Sequence, residues 1–220
     1  MKSLAILGLL LLSAASLSAQ RSTGLATTTP TPLPVPKAIN NPSPIWPDDI
    51  GDLSAWESMR VQADVDTTGH VTVVSTSGLG TPCGKTVDPF MARVVQAATD
   101  AASKVVFEPP MADGKPTTRQ LTFTYKFPKL DKDRTVNGKA THLEKPDYPR
   151  VAAAVRAGGA IVVLVIINKE GLVVAAEAVS GHPLLREAAR DSACKARYTP
   201  TLYDGQAIYV GGFVTLNFVP

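Results

Sequence analysis

Apolar and polar positions along the chain trace one design twice. Near the C-terminus, residues 159–167 are apolar and β-branched almost throughout, the composition of a strand buried on both faces. Asn168-Lys169-Glu170-Gly171 follows, and an Asx with Gly three positions on suits a type I turn closed by a glycine bulge. This predicts a hairpin into a second strand over 172–180. Upstream, Asp66-Thr67-Thr68-Gly69 stands in the matching place before a strand over 70–76. There, Val61, Ala63 and Val65 alternate with Arg60, Gln62 and Asp64, so that first strand has one buried and one wet face.

A helix is predicted next in each copy. Asp88-Pro89 reads as an N-cap followed by proline at the first helical position. Phe90, Met91, Val94, Val95, Ala98, Ala101, Ala102 and Val105 then recur at helical spacing. His182-Pro183 opens the second helix, whose buried face is Leu184, Leu185, Ala188, Ala189, Ser192, Ala193 and Ala196. Each helix runs into an aromatic-X-Pro (Phe107-Glu108-Pro109, Tyr198-Thr199-Pro200), then an Asp-Gly turn (Asp113-Gly114, Asp204-Gly205), then an alternating closing strand. Spacing between the copies is constant from the aromatic onward and longer before the helix, which places an insertion around residues 80–88 of the first. The fold class is α+β, with an internal repeat.

The rest of the chain reads as address and connection. Residues 1–19 have a positive start at Lys2, an apolar run over 4–12 and small residues ahead of Gln20, the pattern of a secretory signal peptide. A periplasmic or secreted location after cleavage follows, with an uncleaved inner-membrane anchor as the alternative. Residues 20–47 are rich in Pro and Thr and read as a spacer. Residues 48–128 hold the first copy, 129–144 a charged linker, and 145–220 the second copy. Net charge is +3, and no basic run accompanies it, so nucleic acid is not an expected partner.

Lys145-Pro146-Asp147-Tyr148-Pro149 ahead of a short Ala-rich stretch resembles the opening of the TonB C-terminal domain. Gly171-Leu172-Val173, Val179-Ser180-Gly181-His182-Pro183-Leu184, Arg197-Tyr198-Thr199-Pro200 and Val214-Thr215-Leu216-Asn217-Phe218 are similar to the same family. The likeness is clear over 145–220 and weaker over about 59–127. It implies two modules, each a small three-stranded antiparallel sheet packed with helices. It also implies a cell-envelope protein-binding role tied to TonB-type energy transduction, with a partner strand added to a sheet edge. The partner would be a TonB-dependent outer-membrane transporter or another envelope protein. By this likeness Pro146, Tyr148 and Pro149 are partner contacts, and the closing strand is the edge, with Ile208, Val210 and Phe213 on it.

Val162, Leu164 and Ile166 take places that are polar in the first copy, and Phe213 takes that of Thr122. Left in water they would each forgo roughly 1.5–3 kcal/mol of burial, so something should cover this stripe: the other copy, a second protomer in a homodimer, or a partner. A structural or assembly protein without a transport role is the alternative function. Cys83 lies in the insertion, and Cys194, nine residues beyond Leu185, falls on the opposite helix face. The secretory route allows a Cys83–Cys194 bridge, an intermolecular bridge, or free thiols. No metal or cofactor set is apparent, and no small-molecule substrate is expected. His70, His142 and His182 read as solvated or capping residues, and Ser180-Gly181-His182 lacks the nucleophile-elbow pattern. No enzymatic activity is expected.

Overall fold

A computed structural model describes residues 35–220; the expected signal peptide and the first part of the expected spacer lie outside the described residues. Among the described residues the architecture is α+β, with three α-helices and several antiparallel sheets. The main elements are β1 (Ser58–Val65), β2 (Val71–Ser77), β3 (Thr81–Pro82), α1 (Pro89–Ser103), β4 (Arg119–Lys126), α2 (Arg150–Ala154), β5 (Gly159–Ile167), β6 (Val173–Ala178), α3 (Pro183–Cys194) and β7 (Val210–Phe218). One sheet has the order β2-β1-β4 and the other β7-β5-β6-β3. In both, the first strand is central, its hairpin partner lies on one side and the closing strand on the other.

The same local chemistry builds both hairpins. Gly69 N–H donates to the Asp66 carbonyl at 3.1 Å, and Gly171 N–H to the Asn168 carbonyl at 3.0 Å. Both glycines have positive φ, 91° and 80°. Each also accepts, on its carbonyl, the N–H of the aromatic that follows the helix: Phe107 and Tyr198, both at 2.9 Å. A Cβ at either glycine would collide with that aromatic residue's own carbonyl, so only glycine fits. The helices start alike. Asp88 Oδ1 accepts from Phe90 N–H at 2.8 Å, and His182 Nδ1 accepts from Leu184 N–H at 3.3 Å.

The connecting segments are more ordered than their composition suggests. Ile39 N–H donates to the Val106 carbonyl at 2.8 Å, Glu108 N–H donates to the Lys37 carbonyl at 2.9 Å, and Trp46 packs 5.4 Å from Phe127. Residues 37–47 therefore lie along the first sheet instead of forming a free spacer. In the linker, Thr135–Val136 pairs with Leu202–Tyr203, and Ala140–His142 pairs with Arg197–Tyr198. Such pairing is between backbones and leaves no side-chain period to read. The insertion is also fixed. Its strand β3 pairs with the outer edge of β6, and Cys83 is bonded to Cys194 with their Cα atoms 5.3 Å apart.

Two main clusters form the core. Ile161, Val163, Val165, Val214 and Leu216 pack with Leu185, Ala189 and Ala193 between the second sheet and α3. Leu184 is an exception to the expected buried helix face, being 41% exposed. The other cluster joins the halves: Phe90, Met91 and Val94 of α1, with Leu53, Trp56 and Met59, meet Ile166, Ala175 and Tyr209 of the second sheet's opposite face. No helix among the described residues is long and apolar enough to cross a membrane.

Candidate partner-binding edge

β7 pairs with β5 along its whole length and is the outermost strand of its sheet. Its nine residues, Val-Gly-Gly-Phe-Val-Thr-Leu-Asn-Phe, carry no charge and no proline. Natural edge strands are usually blunted by such residues or by a cover, because their free N–H and C=O groups template further pairing.

The chain itself covers one end of this edge. Ile50 forms a parallel bridge with Tyr209. Gly51 N–H donates to the Tyr209 carbonyl at 2.7 Å, Tyr209 N–H to the Asp49 carbonyl at 3.1 Å, and Gly211 N–H to the Asp52 carbonyl at 2.8 Å. A Cβ on Gly51 would strike the Tyr209 carbonyl, so glycine permits this approach. A single 3-10 turn, Ser54–Trp56, then carries the chain away, and Trp56 Nε1–H donates to the Val165 carbonyl at 3.1 Å. Among the described residues, no backbone hydrogen bond reaches residues 212–218 from beyond the sheet. At about 3.3 Å per residue that leaves roughly 20 Å of open edge.

Electrostatics hold the cover in place. Asp49 Oδ2 lies 2.8 Å from an Arg93 guanidinium nitrogen and 2.7 Å from Lys169 Nζ, which ties α1 and the second hairpin turn to one carboxylate. Burial would raise the Asp49 carboxyl, but the hydrogen bonds and charges of Arg93 and Lys169 outweigh it and hold it below the usual range. The Tyr209 ring stacks on Phe90 with centroids 3.9 Å apart, and its hydroxyl donates to Asp88 Oδ1 at 3.2 Å. Burial, with Asp88 nearby, pushes that phenol up to about 12.

The residues singled out from the sequence do not form one patch. Tyr148 donates its hydroxyl to the Ala157 carbonyl at 2.7 Å and packs 6.2 Å from Phe218, so it anchors the last residue of β7 from the α3 side. Pro146 and Pro149 line a separate cleft against Pro183 and Leu184 of α3. Ile208 is buried and its N–H is bonded to the Thr201 carbonyl at 3.1 Å. Val210 packs into the α3-side core. The apolar stripe divides. Ile166 is fully buried and Leu164 half-buried against the N-terminal half, while Val162 is half-buried and Phe213 is 70% exposed.

Sequence reasoning missed the edge cover at residues 49–56. Leu53 and Trp56 beside a glycine were the available signal. Residues 144–220 match the family model described as the Gram-negative bacterial TonB protein C-terminal. A search of curated proteins finds no match.

Proposed function

We propose that this chain, whose residues 144–220 match the TonB C-terminal family model, is an envelope protein-binding module that takes up an extended partner segment on the free edge of β7. The observation that carries this reading is the uncharged stretch 212–218, paired to β5 on its inner side and reached by no backbone hydrogen bond from beyond the sheet among the described residues. Main-chain pairing on such an edge supplies affinity, and neighbouring pockets supply choice of sequence. The family match supports a link to energy transduction and outer-membrane transport, with an outer-membrane transporter as the proposed partner. A periplasmic location suits the Cys83–Cys194 bridge, which needs an oxidising compartment. On this reading the N-terminal half is a degenerate second copy of the domain, which the recurrence of strand order, turn glycines and helix caps supports. Its present task is to cover the Ile166 side of the second sheet. The role is binding, without turnover.

Titrating the ¹⁵N-labelled full chain with peptides from the TonB-box region of outer-membrane transporters tests this. Shifts and slowed amide exchange confined to residues 212–218 are expected. An unchanged spectrum at millimolar peptide would overturn the reading.

Exposed Phe213 favours a second reading, a homodimer formed across β7. Sedimentation distinguishes it, because Phe213→Lys would then convert a dimer to a monomer.

A further inference from the structure

Where residues 49–52 leave the edge of β7, a hollow of about 490 Å³ opens. Val165, Ile167 and Val210 line it on the sheet, Tyr198 and Leu130 form further walls, and Gly212 lies at its edge. Gly212 is the reason the hollow persists. Neighbouring inward positions of β7 carry Val210, Val214, Leu216 and Phe218, all packed toward α3. At Gly212 a Cβ would meet only Val165 Cγ2, at 3.9 Å. One place in an otherwise filled row of side chains is therefore empty, and it sits at the start of the open edge.

A strand added to an edge sets its side chains on the same two faces as its neighbour. A bulky residue opposite an edge glycine can fold over it and fill the missing side chain's place, as aromatic residues do in rescuing edge glycines. The chain already adds one short strand to this edge, and Asp52 and Ser54 at its end border the hollow. A partner strand continuing past that point would run beside Gly212. Resting on the edge-pairing reading above, we infer that the hollow over Gly212 is a selectivity pocket, and that the partner is an extended segment carrying an aromatic side chain opposite Gly212. The edge gives affinity for any extended backbone. The pocket selects among sequences.

Two fluorescent peptides of alternating Thr and Val, one with Phe and one with Gly at the centre, test this on the full chain. The Phe peptide should bind at least about tenfold more tightly. Its ring should shift the Gly212 amide and the Val165 methyl resonances. Gly212→Val fills the place from within and should bring the ratio of the two affinities close to one. If that variant folds poorly, Gly212→Ala should reduce the preference in the same direction. Equal affinity of the two peptides for the native chain, or a preference that survives both variants, overturns the pocket and leaves edge pairing standing. Failure of both peptides to bind removes the pocket and the edge-pairing reading together.

Discussion

Asp49 is one residue on which three parts of the chain converge. Its backbone carbonyl accepts the N–H of Tyr209 just before β7, and its carboxylate faces Arg93 on α1 and Lys169 in the second hairpin turn. Either cation alone would be a largely solvated surface pair of small effect. Here the carboxylate is mostly shielded while both cations remain partly exposed, so the coupling should be readable in its pH dependence. The folded carboxyl titrates below the ordinary value of about 4. Its contribution is therefore complete above that value and is lost as the pH falls through the lower, folded value. Asp49→Asn should lower the urea midpoint at pH 7. The difference from the native chain should shrink below about pH 4. A difference that stayed constant into acid would mean that the ion pairs contribute nothing and only packing was disturbed. Lys169 also lies 5.8 Å from the Tyr209 ring centroid, so its loss should have the same sign as that of Asp49.

At the level of elements, what was legible in the sequence was local chemistry. The Asx-Gly turns, the Asp88-Pro89 and His182-Pro183 helix starts and the alternation of β1 need only a few neighbouring residues, and each appears where those residues stand. Strand β3, the strap over 37–47 and the short strands of the linker were not legible. Their order comes from backbone pairing with distant segments, to which Pro82, Lys37 or Lys139 give no side-chain clue. The edge cover at 49–52 escaped notice for the same reason. The apolar stripe was legible as a demand for cover, but which of its residues would be covered depended on where α1 lies. The bridge between Cys83 and Cys194 closes a long loop, the two lying 111 positions apart in sequence. Cys83→Ser with Cys194→Ser should lower stability by about 2–4 kcal/mol, since a long closed loop constrains the unfolded chain strongly. It should also free β3 from β6, because Cys83 N–H donates to the Val174 carbonyl at 2.9 Å beside the bridge. Faster exchange of amides in β3 with β5 unaffected is the expected pattern. Equal loss of protection across the whole second sheet would place the effect elsewhere.

For the whole molecule, the question is whether the two halves fold as one. The second sheet has α3 on one face and α1, with Trp56, on part of the other. Phe90 is fully buried in that shared cluster and stacks on Tyr209, at the covered end of the β7 edge. Removing its ring should cost about 3–5 kcal/mol, as a large-to-small change in a closed core does. Because the cavity would lie between the halves, the loss should be felt in both. Phe90→Ala should lower a single unfolding transition seen alike by tryptophan fluorescence, from Trp46 and Trp56, and by amide exchange in β5 and β7. Tyr209 and Gly211 amides should lose protection first, since the cover over 49–52 is seated on the same cluster. Two separated transitions, with β5 and β7 unmoved, would mean that the C-terminal domain stands independently and that the N-terminal half only leans on it. The partner edge would then be set by residues 144–220 alone. If the transition is shared, the N-terminal half determines how much of β7 is open, and a damaged first sheet should change partner binding without any substitution at the edge itself.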